Sequence, residues 1–313
     1  MRYDGTRYDG TKSDEAKYNN VKYDNAKSDN AKSDDAKLDD TKSGDMKSDD
    51  EPVLAVRNLS ITYRHHAASV SNVSFALGKG KVLGLAGESG SGKSSVCKAI
   101  LGLLTPGPAA VSGEIDFMGE ELLALPYEER RRINGKEIVF IMQNPMTAFD
   151  PCMKIKHHFM ETFMAHLLCS KRDALHYASA MLGRVGLGEG DRIMDSYPHM
   201  LSGGMLQRVM IALAISLNPI LIIADEPTTA LDAESQSTVL SLLQTVIRSY
   251  QPAMLLVSHE LRVLSLLADD IAVMKDGRLI ETGSTRDVFG NPQQEYTREL
   301  MAAHSLMGEA VLC

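Results

Sequence analysis

The stretch that most constrains this chain is VLGLAGESGSGKSSV, residues 82–96. It reads as a short apolar strand, a glycine-rich turn and the start of a helix, and Gly87, Gly92, Lys93 and Ser94 fit the spacing G-x-x-x-x-G-K-[ST]. Glycines let successive backbone N–H groups turn inward around an anion, and a helix that opens on the loop adds the positive end of its dipole. The expected ligand is therefore a nucleotide with Mg2+. The backbone of Gly87, Glu88, Ser89, Gly90, Ser91 and Gly92 would cradle its phosphates, Lys93 would reach the terminal ones, and Ser94, followed by Ser95, would offer a hydroxyl to the metal. Val96, Ile100 and Leu104 follow at helical spacing, which predicts a helix running through SSVCKAILGLL.

A strand–loop–helix of this kind needs a sheet around it. ILIIA (220–224) and AMLLV (253–257) are apolar runs of the type found in strands buried on both faces of a parallel sheet, and EIVFIMQ (137–143) is another, ending in Gln143. Upstream, VLAVRNLSITY and VSNVSFAL alternate apolar and polar residues as half-buried strands do. GEIDFMG reads as a further strand bounded by glycines, so an antiparallel β-layer is expected beside the core. MKDGRLIE reads as a hairpin turning at Asp276-Gly277. Between about 151 and 200 the pattern is helical and rich in Met, His and charge, which suggests a helical insert. The fold class expected is α/β.

Other features narrow the field. Residues 1–50 form a tandem pentapeptide (YDGTR, YDGTK, SDEAK and so on) with almost no apolar position to stack on a neighbour, so a solvated tail is expected. The net charge of −8 argues against a nucleic-acid partner. No apolar run approaches the roughly 18 residues of a membrane span. Cys97, Cys152, Cys169 and Cys313 are scattered and read as free thiols. The pairs His65-His66 and His157-His158 are adjacent, which does not place two ligands on one helix face.

Two later motifs complete the picture. ILIIADEP puts Asp225 and Glu226 at the carboxyl end of a buried strand, where open α/β sheets bind ligands. There Asp225 would serve Mg2+ and Glu226 would act as general base toward water. LSGGMLQR (201–208) is a second Ser-Gly-Gly turn opening a helix, another anion cradle on a chain that already has one.

With LSGGMLQR, ADEP, the ALD ending at Asp232 and LLVSHE around His259 following the phosphate loop in order, the chain resembles the ATP-binding-cassette (ABC) ATPases. The resemblance covers roughly residues 52–290 and implies a P-loop NTPase of the ABC type: a RecA-like core, an antiparallel β-subdomain and a helical subdomain at about 145–205. A tail (1–51) would precede it and a short segment (291–313) would follow. The ligand it implies is ATP with Mg2+ held by Ser94, Gln143 and Asp225. Tyr63 would stack on adenine, and Gln143 and His259 would join Glu226 in catalysis. Ser202, Gly203, Gly204 and Asp232 would meet the nucleotide of a second ABC subunit paired head to tail. Permease subunits would dock on the helical insert, an extracytoplasmic binding protein would act indirectly, and the chain would sit on the cytoplasmic face of the inner membrane.

Within that family, IMQNPMTAFDP, GGMLQRVMIALAI, IADEPTTALD and the downstream VFGNPQQEYTREL resemble the dipeptide/oligopeptide/nickel importers. IMQNP, GMLQR and the short tail favour the nickel-import ATP-binding type, with peptide import the alternative and a non-transport ABC ATPase the rival class.

Overall fold

The computed structural model describes residues 51–64, 69–105, 107–167 and 169–309, from 304 onward by backbone alone. The pentapeptide tail, His65, His66 and Cys313 lie outside the described residues.

Ten strands among these residues form two sheets. The larger runs β10-β9-β3-β8-β7-β6 and is built from β3 (Val82–Ala86), β6 (Ile138–Ile141), β7 (Leu221–Asp225), β8 (Ala253–Val257), β9 (Asp270–Lys275) and β10 (Arg278–Ser284). Five of its strands are parallel neighbours, and β10 alone pairs antiparallel, on β9. Every residue of β3, β7 and β8 is buried, and the pleat explains why. Val82, Ile222, Ala224, Met254 and Leu256 point into a core shared with the helical insert. The alternate residues Leu83, Leu85, Leu221, Ile223, Leu255 and Val257 point into a second core on the opposite face. Strands clad on both sides have no polar position to alternate with.

The second core is closed by an antiparallel sheet ordered β2-β1-β4-β5, made of β1 (Leu54–Tyr63), β2 (Val70–Leu77), β4 (Ala109–Phe117) and β5 (Glu120–Glu121). Here the expected strand GEIDFMG is corrected. β4 starts at Ala109, and Gly113 lies inside it rather than bounding it. Gly113 has φ +111° and sits where a Cβ would come within 2.7 Å of the Asn58 carbonyl oxygen, at the point where the β1–β4 register shifts. The glycine therefore marks a bulge and not a boundary.

The helix after the phosphate loop, α1 (Lys93–Leu101), is also shorter than its spacing predicts. It ends at Gly102, with φ +66° in the left-handed region. Two side chains then take its last carbonyls: Arg130 donates to Ala99 O (2.9 Å) and to Ile100 O, and Asn134 donates to Leu101 O (2.8 Å). Arg130 belongs to α2 (Tyr127–Ile133). Leu104 continues the apolar rhythm but lies past this cap.

The insert comprises α3 (Ile155–His166), α4 (Lys171–Arg184) and α5 (Gly190–Asp195). Ile155, Phe159 and Phe163 on one face of α3 meet Ala174, Ala178, Met181 and Leu182 of α4 in the first core. His158 is an edge-on neighbour of Phe149 (centroids 5.0 Å apart), and burial lowers its pKa. No cluster of three metal-ligating side chains occurs among the described residues. The chain then continues through α6 (Gly203–Ser216), α7 (Ala233–Tyr250), α8 (Leu261–Leu267), α9 (Thr285–Gly290) and α10 (Glu295–Glu309). Among the described residues no helix is long and apolar enough to cross a membrane.

Candidate active site

The phosphate loop leaves β3 and enters α1, and the backbone around it leaves no room for side chains at its ends. A Cβ on Gly87 (φ +146°) would lie 2.2 Å from the Met274 carbonyl oxygen of β9. The loop and the start of α1 line a cavity of about 290 Å³ with Ser69, Gln143 and Glu226. Ser89, Gly90, Gly92, Lys93, Ser94 and Ser95 all border it. Lys93 is 4% exposed and donates to the Gly87 and Glu88 carbonyls, both at 2.8 Å. Burial lowers its pKa, while the charges of Glu226 and Asp225 pull the other way.

Asp225 ends β7, 8% exposed, where burial raises its pKa against the effect of a hydrogen bond with the Ser94 side chain. Its Oδ1 is buried with no protein partner. A buried carboxylate oxygen left unpaired beside a serine hydroxyl is a donor set of the hard-oxygen kind that Mg2+ takes, so the residues fit this ion.

Glu226 follows in a left-handed conformation, φ +48°, unusual for a residue with a Cβ and a form of strain found at functional sites. Its amide donates to Val257 O (2.9 Å), which fixes the turn. The carboxylate is 13% exposed and three side chains converge on it. Gln143 Nε2 donates to Oε2 at 3.0 Å, and the Thr229 hydroxyl donates to the same oxygen at 3.1 Å. His259 Nδ1 lies 3.1 Å from Oε1, close enough to pair when the imidazole is protonated, though not aligned as a hydrogen bond. Gln143 follows β6, Glu226 follows β7 and His259 follows β8, so the parallel sheet itself gathers the three at one edge.

Tyr63 ends β1, and its hydroxyl is 3.2 Å from Ser95 Oγ, which places the half-buried ring beside the start of α1. The remaining expected residues lie elsewhere: among the described residues, Ser202, Gly203, Gly204 and Asp232 do not line the cavity. Ser202 caps α6 by accepting from the Met205 amide at 3.2 Å. Asp232 caps α7, accepting from the Ser235 amide at 3.0 Å and from its hydroxyl at 2.8 Å, and these bonds lower the Asp232 pKa. Gly204 faces Ser235 so closely that a Cβ there would lie 2.4 Å from its Oγ.

Sequence reasoning missed Ser69, Thr229 and Tyr296. Thr229 stands three residues past Glu226 in a turn (Thr229 N to Glu226 O, 3.3 Å), a spacing that could have drawn attention to it. Tyr296 touches the loop from α10, its hydroxyl accepting from the Glu88 amide at 3.2 Å, and nothing in the local pattern signals that contact.

Comparison with known proteins gives a consistent picture. A family model described as ABC transporter matches residues 70–229. A metal-staphylopine import ATP-binding protein, CntD of Staphylococcus aureus, is 43% identical over 251 residues, 80% of this chain and 92% of the relative. The oligopeptide transport ATP-binding protein OppD of Escherichia coli is 39% identical over 256 residues, 81% of this chain and 76% of the relative. Among solved structures, a dimeric post-hydrolysis state of the ATP-binding cassette MJ0796 bound to ADP and Pi superposes with a TM-score of 0.66 at 26% identity, covering 74% of this chain and 99% of that one.

Proposed function

This chain belongs to the ABC transporter family, and we propose that it is the ATP-hydrolysing subunit of a membrane importer whose cargo is a transition-metal complex, nickel among the ions carried. The observation that carries the reading is the convergence of Gln143, Thr229 and His259 on the Glu226 carboxylate, beside the Lys93 cradle.

ATP would lie with its phosphates against the loop amides and its base toward Tyr63. Lys93 would turn from the Gly87 and Glu88 carbonyls to the terminal phosphates. Ser94, Asp225 and Gln143 would hold Mg2+, which supplies neutralising charge at the phosphate oxygens. Glu226 accepts the proton of the attacking water as the water oxygen bonds to the γ-phosphorus and the β–γ bridging bond breaks, releasing ADP and Pi. Gln143 and Thr229 hold the Glu226 oxygen in place for that transfer, and His259, beside Glu226, would contact the γ-phosphate. Ser202, Gly203, Gly204 and Asp232 would complete the nucleotide site of a second, homologous ATPase subunit, and the partner would complete this one. The dimeric similar cassette supports that arrangement. Permease subunits, supplied from outside by an extracytoplasmic binding protein, would receive the motion, with the ATPase peripheral on the cytoplasmic face of the inner membrane.

The similarity to the metal-staphylopine system favours a metal complex, and the similarity to OppD favours peptides as the second reading. Deleting the gene and following metal content by mass spectrometry, beside uptake of labelled di- and oligopeptides, separates them. Metal accumulation is expected to fall several-fold under metal limitation with peptide uptake intact. Lost peptide uptake with unchanged metal content would overturn the cargo assignment.

A further inference from the structure

The chain beyond His259 returns to the phosphate loop twice. The β9–β10 hairpin turns at Asp276 (φ +47°) and Gly277 (φ +77°), and the Gly277 amide donates to Ser91 O at 3.0 Å. The second return is Tyr296, on the first turn of α10. Its hydroxyl accepts the Glu88 amide, the Lys275 ammonium lies 4.5 Å over its ring, and the residue is 9% exposed. The helix that carries it is anchored at its start. Glu281 of β10 accepts the amides of Gln293 (2.7 Å) and Gln294 (3.0 Å); burial pushes its carboxyl up, but the neighbouring Thr297 side chain and these two amides together hold it below the usual range.

Glu88, expected to cradle a phosphate with its backbone, instead donates its amide to Tyr296, and among the described residues it does not line the cavity. A loop of small residues has many backbone states, and binding must select one of them. Two hydrogen bonds from elsewhere in the chain, at Glu88 and Ser91, restrict that choice before any ligand arrives. We propose that Tyr296 is a positioning residue for the phosphate loop and that α10 thereby sets nucleotide affinity from outside the site. This rests on the reading of the loop as the ATP site.

Calorimetric titration of the full chain with ATP and Mg2+ tests it. Tyr296→Phe keeps the ring and removes the acceptor. Its Kd is expected to rise about two- to tenfold, the worth of one hydrogen bond, with the melting temperature unchanged. Glu281→Gln, which loosens the anchor of α10, is expected to shift Kd the same way by less. In the assembled transporter the KM for ATP of Tyr296→Phe should rise while kcat holds. An unchanged Kd in Tyr296→Phe overturns the proposal, as does a loss of affinity matched by a lower melting temperature, which would make the residue ordinary packing. A wild-type chain that binds no ATP would defeat the reading of the loop itself.

Discussion

Asp225 is a site residue whose ionised form burial disfavours. Burial raises its pKa, so the folded chain holds that proton more tightly than the unfolded chain does. The ionised carboxylate therefore destabilises the fold, fully above the folded pKa and not at all below the ordinary aspartate range. Asp225→Asn should raise the melting temperature at neutral pH, and the gain should vanish as pH falls into that range. ATP hydrolysis by the same variant should drop by about 10²-fold or more. A variant less stable at neutral pH would contradict the assignment of strain to this carboxylate. At this scale the sequence was most legible for residues whose motif is contiguous: Gly92, Lys93 and Ser94, with Asp225 and Glu226 beside them. Thr229 and Tyr296 were illegible because their roles depend on which oxygen or amide faces them, and that is a property of the folded turn and of a distant helix.

Among elements, the two that depart from their sequence pattern do so at glycines. α1 stops at Gly102 because Arg130 and Asn134 take its carbonyls, and β4 runs through Gly113 because the bulge opposite Asn58 needs a left-handed residue. Apolar rhythm registers which residues are buried; it cannot register where a neighbour caps the backbone. The start of α6 offers a third glycine. Gly204, expected to meet the nucleotide of a second subunit, also approaches Ser235 closely at the start of α7. Gly204→Ala should then cost about 1–3 kcal/mol by overpacking. Combining it with Ser235→Gly should cost less than the sum of the two single changes, as measured by denaturant unfolding. Strict additivity would mean that the two helices part without strain.

For the whole molecule, β6, β7 and β8 deliver Gln143, Glu226 and His259 to one sheet edge, while α6 and α7 hold Ser202 and Asp232 away from the cavity. The two-sided burial of the central sheet was legible as uninterrupted apolar runs, and the antiparallel layer as alternation. The return of α10 to the phosphate loop was not, because that contact joins residues 208 positions apart. On the proposed function, the second cradle, held away from this cavity, serves the nucleotide of a partner subunit. The claim at the centre of that function is that the Glu226 carboxylate takes the proton from the attacking water. It is tested by ATP turnover and ATP binding in the assembled transporter carrying Glu226→Gln. The account predicts turnover lower by about 10²–10⁴-fold with ATP affinity retained; near-normal hydrolysis would contradict it.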